Sequence, residues 1–277
     1  MTDRSILVLG GTGKTGRRVA SRLEQRGLRV RAASRKGPAR FDWDDTATWA
    51  PALDSVQAAY LVDSQASNAA VTLGGFSERA VASGITRLVL LSARDWGVSG
   101  DAALLASERA VQNSGTEWTI LRPTWFAQNF SEASFLRDPV INGEVMLSAG
   151  NGLEPFIDAE DIAEVAVAAL TEDGHAGQTY ELSGPRLLTF GAAVQEIAKA
   201  TGRDIPYLPV SQEEHAALLV ERGVPAEVAE FMTLMFGWIS EGRNAHLSDG
   251  VQRVLGRDPR DFTDYVKATV ETGVWNA

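Results

Sequence analysis

Over residues 1–120, short apolar runs alternate with longer amphipathic segments. SILVLG (Ser5–Gly10) is apolar at successive positions, the mark of a strand covered on both faces. TGRRVASRLEQRG then sets Val19, Ala20 and Leu23 on one helical face with charges opposite, and Gly27 ends the helix. LRVRAASR, VQAAYLVD (Val56–Asp63), RLVLLSA (Arg87–Ala93) and EWTILRP read as further strands, the last halted by Pro123. NAAVTLGGFSERAVASG and ALLASERAVQNSG between them read as helices closed by Gly84 and Gly115. This alternation predicts an α/β fold of the Rossmann type, a doubly wound parallel sheet with helices on both faces.

Beyond Pro123 the pattern changes. TWFAQNFSEASFL reads as helix, EVMLSAG as strand and DAEDIAEVAVAALTED as a helix with acids in its first turn. QTYELSG is a strand and TFGAAVQEIAKATG a helix, and helices are expected around 212–222, 225–241 and 259–273. The expected organisation is a dinucleotide-binding domain over 1–154, its sheet completed by part of 155–183. A smaller, mainly helical substrate lobe follows over 184–277, with contributions from 124–150.

Composition narrows the function classes. The 277 residues are 44% hydrophobic, enough for a sizeable core. A net charge of −10 argues against nucleic acid, which calls for clustered positive charge. The absence of cysteine removes disulfides and thiolate chemistry. No apolar run approaches the roughly 18 residues of a membrane span, and the N-terminal residues lack a signal-peptide pattern. A cytoplasmic protein without metal or membrane partner is expected. A homo-oligomer or a protein partner is left open.

ILVLGGTGKTG (Ile6–Gly16) admits two chemistries. Gly13-Lys14-Thr15 ends like a nucleoside-triphosphate P-loop, but that motif needs a glycine at position 8, where Val8 stands. The loop is too short to wrap a triphosphate. Gly10, Gly13 and Gly16 instead fit a dinucleotide turn. The first glycine turns the chain, the second lets backbone approach a pyrophosphate, and the third removes a side chain where helix crosses strand. An acidic residue ends the second strand in NAD-binding members. Ser34-Arg35-Lys36 stands there, and two cations with a hydroxyl suit the 2′-phosphate of NADPH.

With AASRKG, RFDWDDTATW, YLVD, LVLLSA, SGTEWTILRPTWFAQNF and PFIDAEDIAEVA added, nearly the whole chain resembles the NmrA-like group of atypical short-chain dehydrogenases. Within that group it resembles the ergot-alkaloid reductases, of the festuclavine synthase and agroclavine dehydrogenase type, which reduce a cyclic iminium with NADPH. The resemblance implies that Thr12, Gly13, Lys14 and Thr15 line the pyrophosphate, and that Ser34, Arg35 and Lys36 hold the 2′-phosphate. It places Asp42 and Trp43 by the adenine, and Leu61, Val62 and Asp63 near the ribose. Ser92 and Ala93 would lie beside the nicotinamide, with Pro123 and Thr124 on its carboxamide side.

One expected group is missing. Short-chain dehydrogenases carry Tyr-x-x-x-Lys on the helix after the fifth strand, the tyrosine giving a proton as hydride arrives. The four tyrosines, Tyr60, Tyr180, Tyr207 and Tyr265, all lie outside residues 101–114, which also lack lysine. In NmrA-like reductases a lysine or histidine often stands four residues before the glutamate of this helix; here the glutamate is Glu108 and Leu104 takes that place. Catalytic candidates reduce to Ser92, Trp125 and Asn129. An iminium needs no proton when hydride arrives, and a quinone takes protons from water, so either substrate suits such a site. The alternative is a non-catalytic NADP(H)-binding redox sensor acting through a protein partner. Substrate-wall candidates are Trp96, Trp125, Phe126, Asn129, Phe156, Phe231, Phe236 and Trp238. Asp158 and Asp161 read as helix capping rather than a catalytic carboxylate pair.

Overall fold

The computed structural model describes residues 4–276 and divides into two compact units. The first comprises 1–123, 159–182 and 250–257, and the second 124–158, 183–249 and 258–277.

The first unit is built on seven strands: β1 Ser5–Leu9, β2 Val30–Ser34, β3 Ala39–Arg40, β4 Val56–Val62, β5 Arg87–Leu91, β6 Glu117–Pro123 and β7 Gln178–Leu182. Every pairing is parallel, in the order β3-β2-β1-β4-β5-β6-β7. The order reverses between β1 and β4, the switch point at whose carboxyl ends open α/β sheets bind ligands. Leu7, Leu9, Leu61, Leu88 and Leu90 point to one face, where they meet Leu73, Phe76 and Ala80 of the helix Ala69–Ala82 and Val111 of Ala106–Gln112. Helices Lys14–Gln25 and Ala159–Thr171 pack together over the other face. Ten of the thirteen residues of Ala159–Thr171 are buried, because it lies between the sheet, the first helix and Gly250–Leu255.

The second unit holds the helices Ser134–Asn142, Phe190–Thr201, Gln212–Glu221, Ala226–Ser240 and Phe262–Val270. Its two short ladders join Val145–Leu147 to Tyr207–Pro209 and Leu153–Glu154 to Leu188–Thr189. The core is aromatic: Trp125, Phe130, Phe156, Phe190, Phe236, Phe262 and Trp275 are all buried. Arg186 pins its surface, bonding Asp261 at 2.6 Å and Glu196 at 2.8 Å.

Three differences from the sequence expectation have physical causes. The helix expected from Thr124 to Leu136 does not start at Thr124. Trp125 and Ala127 instead exchange backbone hydrogen bonds with Ile157 at 2.9 and 2.8 Å, and the Trp125 amide donates to the Glu154 carboxylate at 3.1 Å. Those partners, remote in sequence, outcompete helix, which begins only at Asn129. For the same reason the first unit leaves off at Pro123 rather than 154. The helix Gly250–Leu255 returns to that unit and no local pattern announced it; Gly250 seats it, since a Cβ there would stand 2.1 Å from the Glu181 carbonyl oxygen.

Candidate cofactor site

Gly10 leaves β1 with φ +66°, a backbone that side chains resist. Its carbonyl accepts the Gly13 amide at 2.7 Å, and a Cβ on Gly16 would sit 2.2 Å from the same oxygen. The three-residue spacing is thus one closed turn around the Gly10 carbonyl. The helix Lys14–Gln25 starts from Gly13 without any side-chain cap, so its first amides and its positive dipole end are offered to an anion. Thr12 and Gly13 are exposed beside it, and Lys14 is half-buried. Thr15 turns inward at 4% exposure, beside the phenol of Tyr60 in β4. Burial pushes that phenol above its ordinary pKa, and Thr15 pulls the other way.

At the end of β2, the Ser34 carbonyl accepts the amides of Gly37 and Phe41 at 3.4 and 3.1 Å, folding the loop back into β3. The Ser34 hydroxyl is buried and has no hydrogen-bond partner, and a Cβ on Gly37 would come within 2.6 Å of it. Arg35 and Lys36 follow, both exposed. An orphaned hydroxyl next to two exposed cations fits a phosphate monoester, and the open helix start fits a pyrophosphate. The residues present therefore fit NADP(H).

Trp43 packs edge-on against Phe41, Phe76 and Trp49, with centroids 4.9 to 6.1 Å apart. Its indole N–H donates to the Val62 carbonyl at the end of β4, 3.1 Å away. Asp42 is held by its backbone, which bonds the Thr48 hydroxyl and the Trp49 indole N–H. Leu61 is fully buried in the sheet core, so only its backbone could face a ligand. The Asp63 carboxylate already accepts the Ser107 hydroxyl at 2.9 Å and the Gln65 amide at 3.1 Å.

Ser92 and Ala93 follow β5, and Ala93 leads into the short helix Arg94–Ser99 that carries the half-buried Trp96. The Ser92 hydroxyl donates to Glu108 Oε1 at 2.5 Å. Arg122 in β6 donates to Oε1 at 2.9 Å and to Oε2 at 2.7 Å, and Glu108 is 2% exposed. The hydrogen bond to Glu108 raises the Arg122 pKa above its ordinary value, against a smaller opposing effect of burial. The roles of Ser107 and Arg122 escape sequence reasoning. Nothing local distinguishes Arg122 in TILRP from a strand-end surface cation.

Pro123 closes the first unit, and the Thr124 hydroxyl is spent within the second, donating to the Pro155 carbonyl at 2.7 Å. The substrate-wall candidates of that unit separate into two groups. Phe156 and Phe236, at 2% and 0% exposure, are core residues whose faces are taken by other rings. Trp125 is 9% exposed and stacks on Phe236 at 4.7 Å. Phe126, Asn129 and Trp238 keep partial exposure, Arg243 lies over the Trp238 ring at 5.4 Å, and Phe231 is exposed. Asp158 accepts from the Gln128 amide at 2.7 Å, while Asp161 pairs with Arg257 at 2.7 Å; each carboxylate serves structure. Among the described residues no group of His, Asp and Glu could hold a metal ion, and no helix is long and apolar enough to cross a membrane.

A family model described as NAD(P)H-binding matches residues 10–173. The chain belongs to this NAD(P)H-binding family, and its curated relatives include oxidoreductases. It is 34% identical to the uncharacterised oxidoreductase YesF of Bacillus subtilis, over 97% of this chain and 96% of that one. It is 32% identical to agroclavine dehydrogenase of Claviceps fusiformis, over 95% and 96%. Among solved structures it matches the NADPH complex of the Escherichia coli quinone oxidoreductase QOR2, with TM-score 0.78, 23% identity and 96% and 99% coverage. The last likeness establishes the shared fold.

Proposed function

We propose that the chain is an NADPH-dependent reductase whose acceptor needs no proton from the protein: an iminium, or an imine already protonated in solution, or a quinone-like ring. One observation carries this reading. The hydroxyl at the end of β5, Ser92, donates its proton to the buried Glu108 carboxylate, which Arg122 grips with two further hydrogen bonds. Ser92 can therefore accept a hydrogen bond but is poorly placed to donate one. Leu104 stands where the NmrA-like group often places its lysine or histidine.

When bound, the dihydronicotinamide supplies a hydride. The chain's own work is to bind and align. The uncapped helix start at Lys14 and Thr15 meets the pyrophosphate; Ser34, Arg35 and Lys36 select the 2′-phosphate and so NADPH over NADH. Trp43 borders the adenine, and Ser92 offers a fixed lone pair at the strand ends. An iminium carbon that accepts hydride becomes a neutral amine directly, so alignment alone is enough for its chemistry. Agroclavine dehydrogenase among the relatives and the quinone oxidoreductase among the structures support these two acceptor classes.

The test follows absorbance at 340 nm with NADPH and a panel of cyclic iminium salts, quinones and ketones. Turnover is expected with the first two classes, and Ser92→Ala is expected to keep kcat within about threefold. A drop of about a hundredfold or more in Ser92→Ala, with an altered pH profile, would make Ser92 the acid and end this reading. Tight NADPH binding with no turnover of any acceptor would favour the second reading, a redox sensor, which the missing acid also suits.

A further inference from the structure

The outer flank of the helix Lys14–Gln25 carries a cleft that neither the cofactor turn nor the proposed chemistry uses. Its volume is about 380 Å³, and Arg17, Arg18, Ser21, Arg22, Gln25 and Glu160 line it. The five helix residues recur at intervals of three and four, so they form one face. Three arginines surround a single lining carboxylate. Glu160 has both oxygens engaged, Oε1 by Arg18 at 2.8 Å and Oε2 by Arg22 at 2.5 Å. Arg22 also reaches Glu164 at 2.9 Å, and Arg18 donates to the Lys14 carbonyl at 2.8 Å. The guanidinium groups of Arg18 and Arg22 are thus held in place rather than sweeping through solvent. Ser21 and Gln25 bond each other at 3.3 Å and add neutral donors to the same wall.

Two features set this cleft apart from an ordinary solvated helix face. The protein carries a net charge of −10, so a concavity lined by three cations runs against its overall sign. The volume also lies in the range of small-molecule sites, larger than one inorganic anion requires. Concave walls focus the local positive potential toward whatever occupies the cleft.

We propose that this cleft is a second anion site, separate from the cofactor turn, for a small molecule bearing a phosphate monoester. Arg17 and Arg18 bind the phosphoryl oxygens, guanidinium groups being suited to bidentate contact; Arg22 stays bonded to Glu160 and Glu164, and Ser21 and Gln25 complete the donor set. The remaining volume takes the organic part of the ligand. The site does not depend on which acceptor the enzyme reduces.

The experiment is calorimetric titration of the NADPH-saturated protein with glucose 6-phosphate, inorganic phosphate and glucose at fixed ionic strength. Saturation with NADPH blocks the cofactor turn. Saturable binding of glucose 6-phosphate is expected below ~10 mM, with none of glucose. Arg17→Ala and Ser21→Glu, the latter placing a carboxylate inside the cleft, are each expected to weaken it about tenfold or more. Both positions are exposed, and circular dichroism and thermal midpoint confirm that the variants fold. Lys267→Ala, at an exposed cation of the second unit, is expected to leave it unchanged. Tighter binding of glucose 6-phosphate than of phosphate supports the phosphorylated small molecule. Equal binding overturns that ligand in favour of free phosphate. No saturable heat, binding of glucose alone, binding untouched by both cleft variants, or binding lost in Lys267→Ala each overturns the site.

Discussion

Replacing Glu108 by Gln tests whether the buried carboxylate organises the strand ends. Glu108 Oε1 accepts from Ser92 and from Arg122 Nε, and Oε2 accepts from Arg122 Nη2. Glutamine has the same shape but a single acceptor oxygen. With that oxygen toward Ser92, its amide N–H₂ faces Arg122 Nη2, donor against donor. Flipped, it faces Arg122 Nε in the same way. Either orientation loses one charge-assisted bond and leaves the Arg122 cation, 21% exposed, without its counter-charge. Breaking a fully buried pair costs about 3–5 kcal/mol, and the residual exposure of Arg122 brings the expectation to about 2–4 kcal/mol. At roughly 2–3 °C per kcal/mol for a chain of this size, the thermal midpoint should fall by ~5–10 °C at pH 7. Differential scanning calorimetry of the cofactor-free protein reads this directly, with urea unfolding as a second measure. A midpoint within about 1 °C of the parent would show that the network is not energetically coupled, and would remove the argument that Glu108 holds the Ser92 proton.

Gly16→Ala brings a Cβ to 2.2 Å from the Gly10 oxygen, so backbone must move; a loss of about 1–3 kcal/mol and NADPH binding weakened tenfold or more are expected by calorimetry and fluorescence titration. Arg35→Asp should weaken NADPH far more than NADH, and equal losses for the two cofactors would remove the case for a 2′-phosphate pocket. His215, 2% exposed, accepts the Ser148 amide at Nδ1, and burial, with Arg222 as a lesser cause, pulls its pKa down to about 4. The unfolded chain therefore binds this proton from about pH 6.5 downward while the fold resists it until about pH 4. Stability present above about pH 6.5 is lost across that window, by about 2–3 kcal/mol, and His215→Leu should flatten the loss in urea titrations; an unchanged slope would place the acid sensitivity elsewhere.

The parts legible in the sequence are those that local rules decide. Apolar runs such as SILVL and VQAAYLV have one stable place, the interior of a parallel sheet, and both lie in it. Gly10, Gly13 and Gly16 are legible because one tight turn requires them: Gly10 by its positive φ, Gly13 and Gly16 by their approach to the Gly10 oxygen. The residues that escaped are set by partners remote in the chain. Trp125 and Ala127 leave the helical state for Ile157, some thirty residues on; Phe156 is core because Phe130, Phe190 and Phe262 close on it, and Phe236 because Trp125, Phe190 and His215 do. A ring's identity does not reveal whether its faces are covered; that depends on tertiary packing. Arg122 is the same case for a charge: its meaning appears only once β6 brings it to Glu108.

On the proposed reading, the want of a proton donor and the fixed strand ends both trace to the start of the helix Ala106–Gln112. Consecutive helical residues project roughly 100° apart, so Ser107 and Glu108 can reach different strands. Ser107 bonds Asp63 beyond β4, and Glu108 bonds Ser92 beyond β5 and Arg122 in β6. Two side chains thereby tie this helix to the ends of three neighbouring strands. In a short-chain dehydrogenase with a catalytic tyrosine, this helix supplies the moving proton; here its Ser107 and Glu108 are spent on groups at the strand ends, and Leu104 adds none. Under the proposed function, a site so arranged gains rigidity where the nicotinamide ring is held and gives up the ability to neutralise an alkoxide. Discrimination then falls to the acceptor's electronics. A simple ketone would have to become a bare alkoxide at the moment of transfer, whereas an iminium or a quinone carries the hydride's electrons on atoms already able to hold them. The staple that replaces the acid would on this view act as a specificity device, rejecting ketones by withholding a proton and not by steric exclusion.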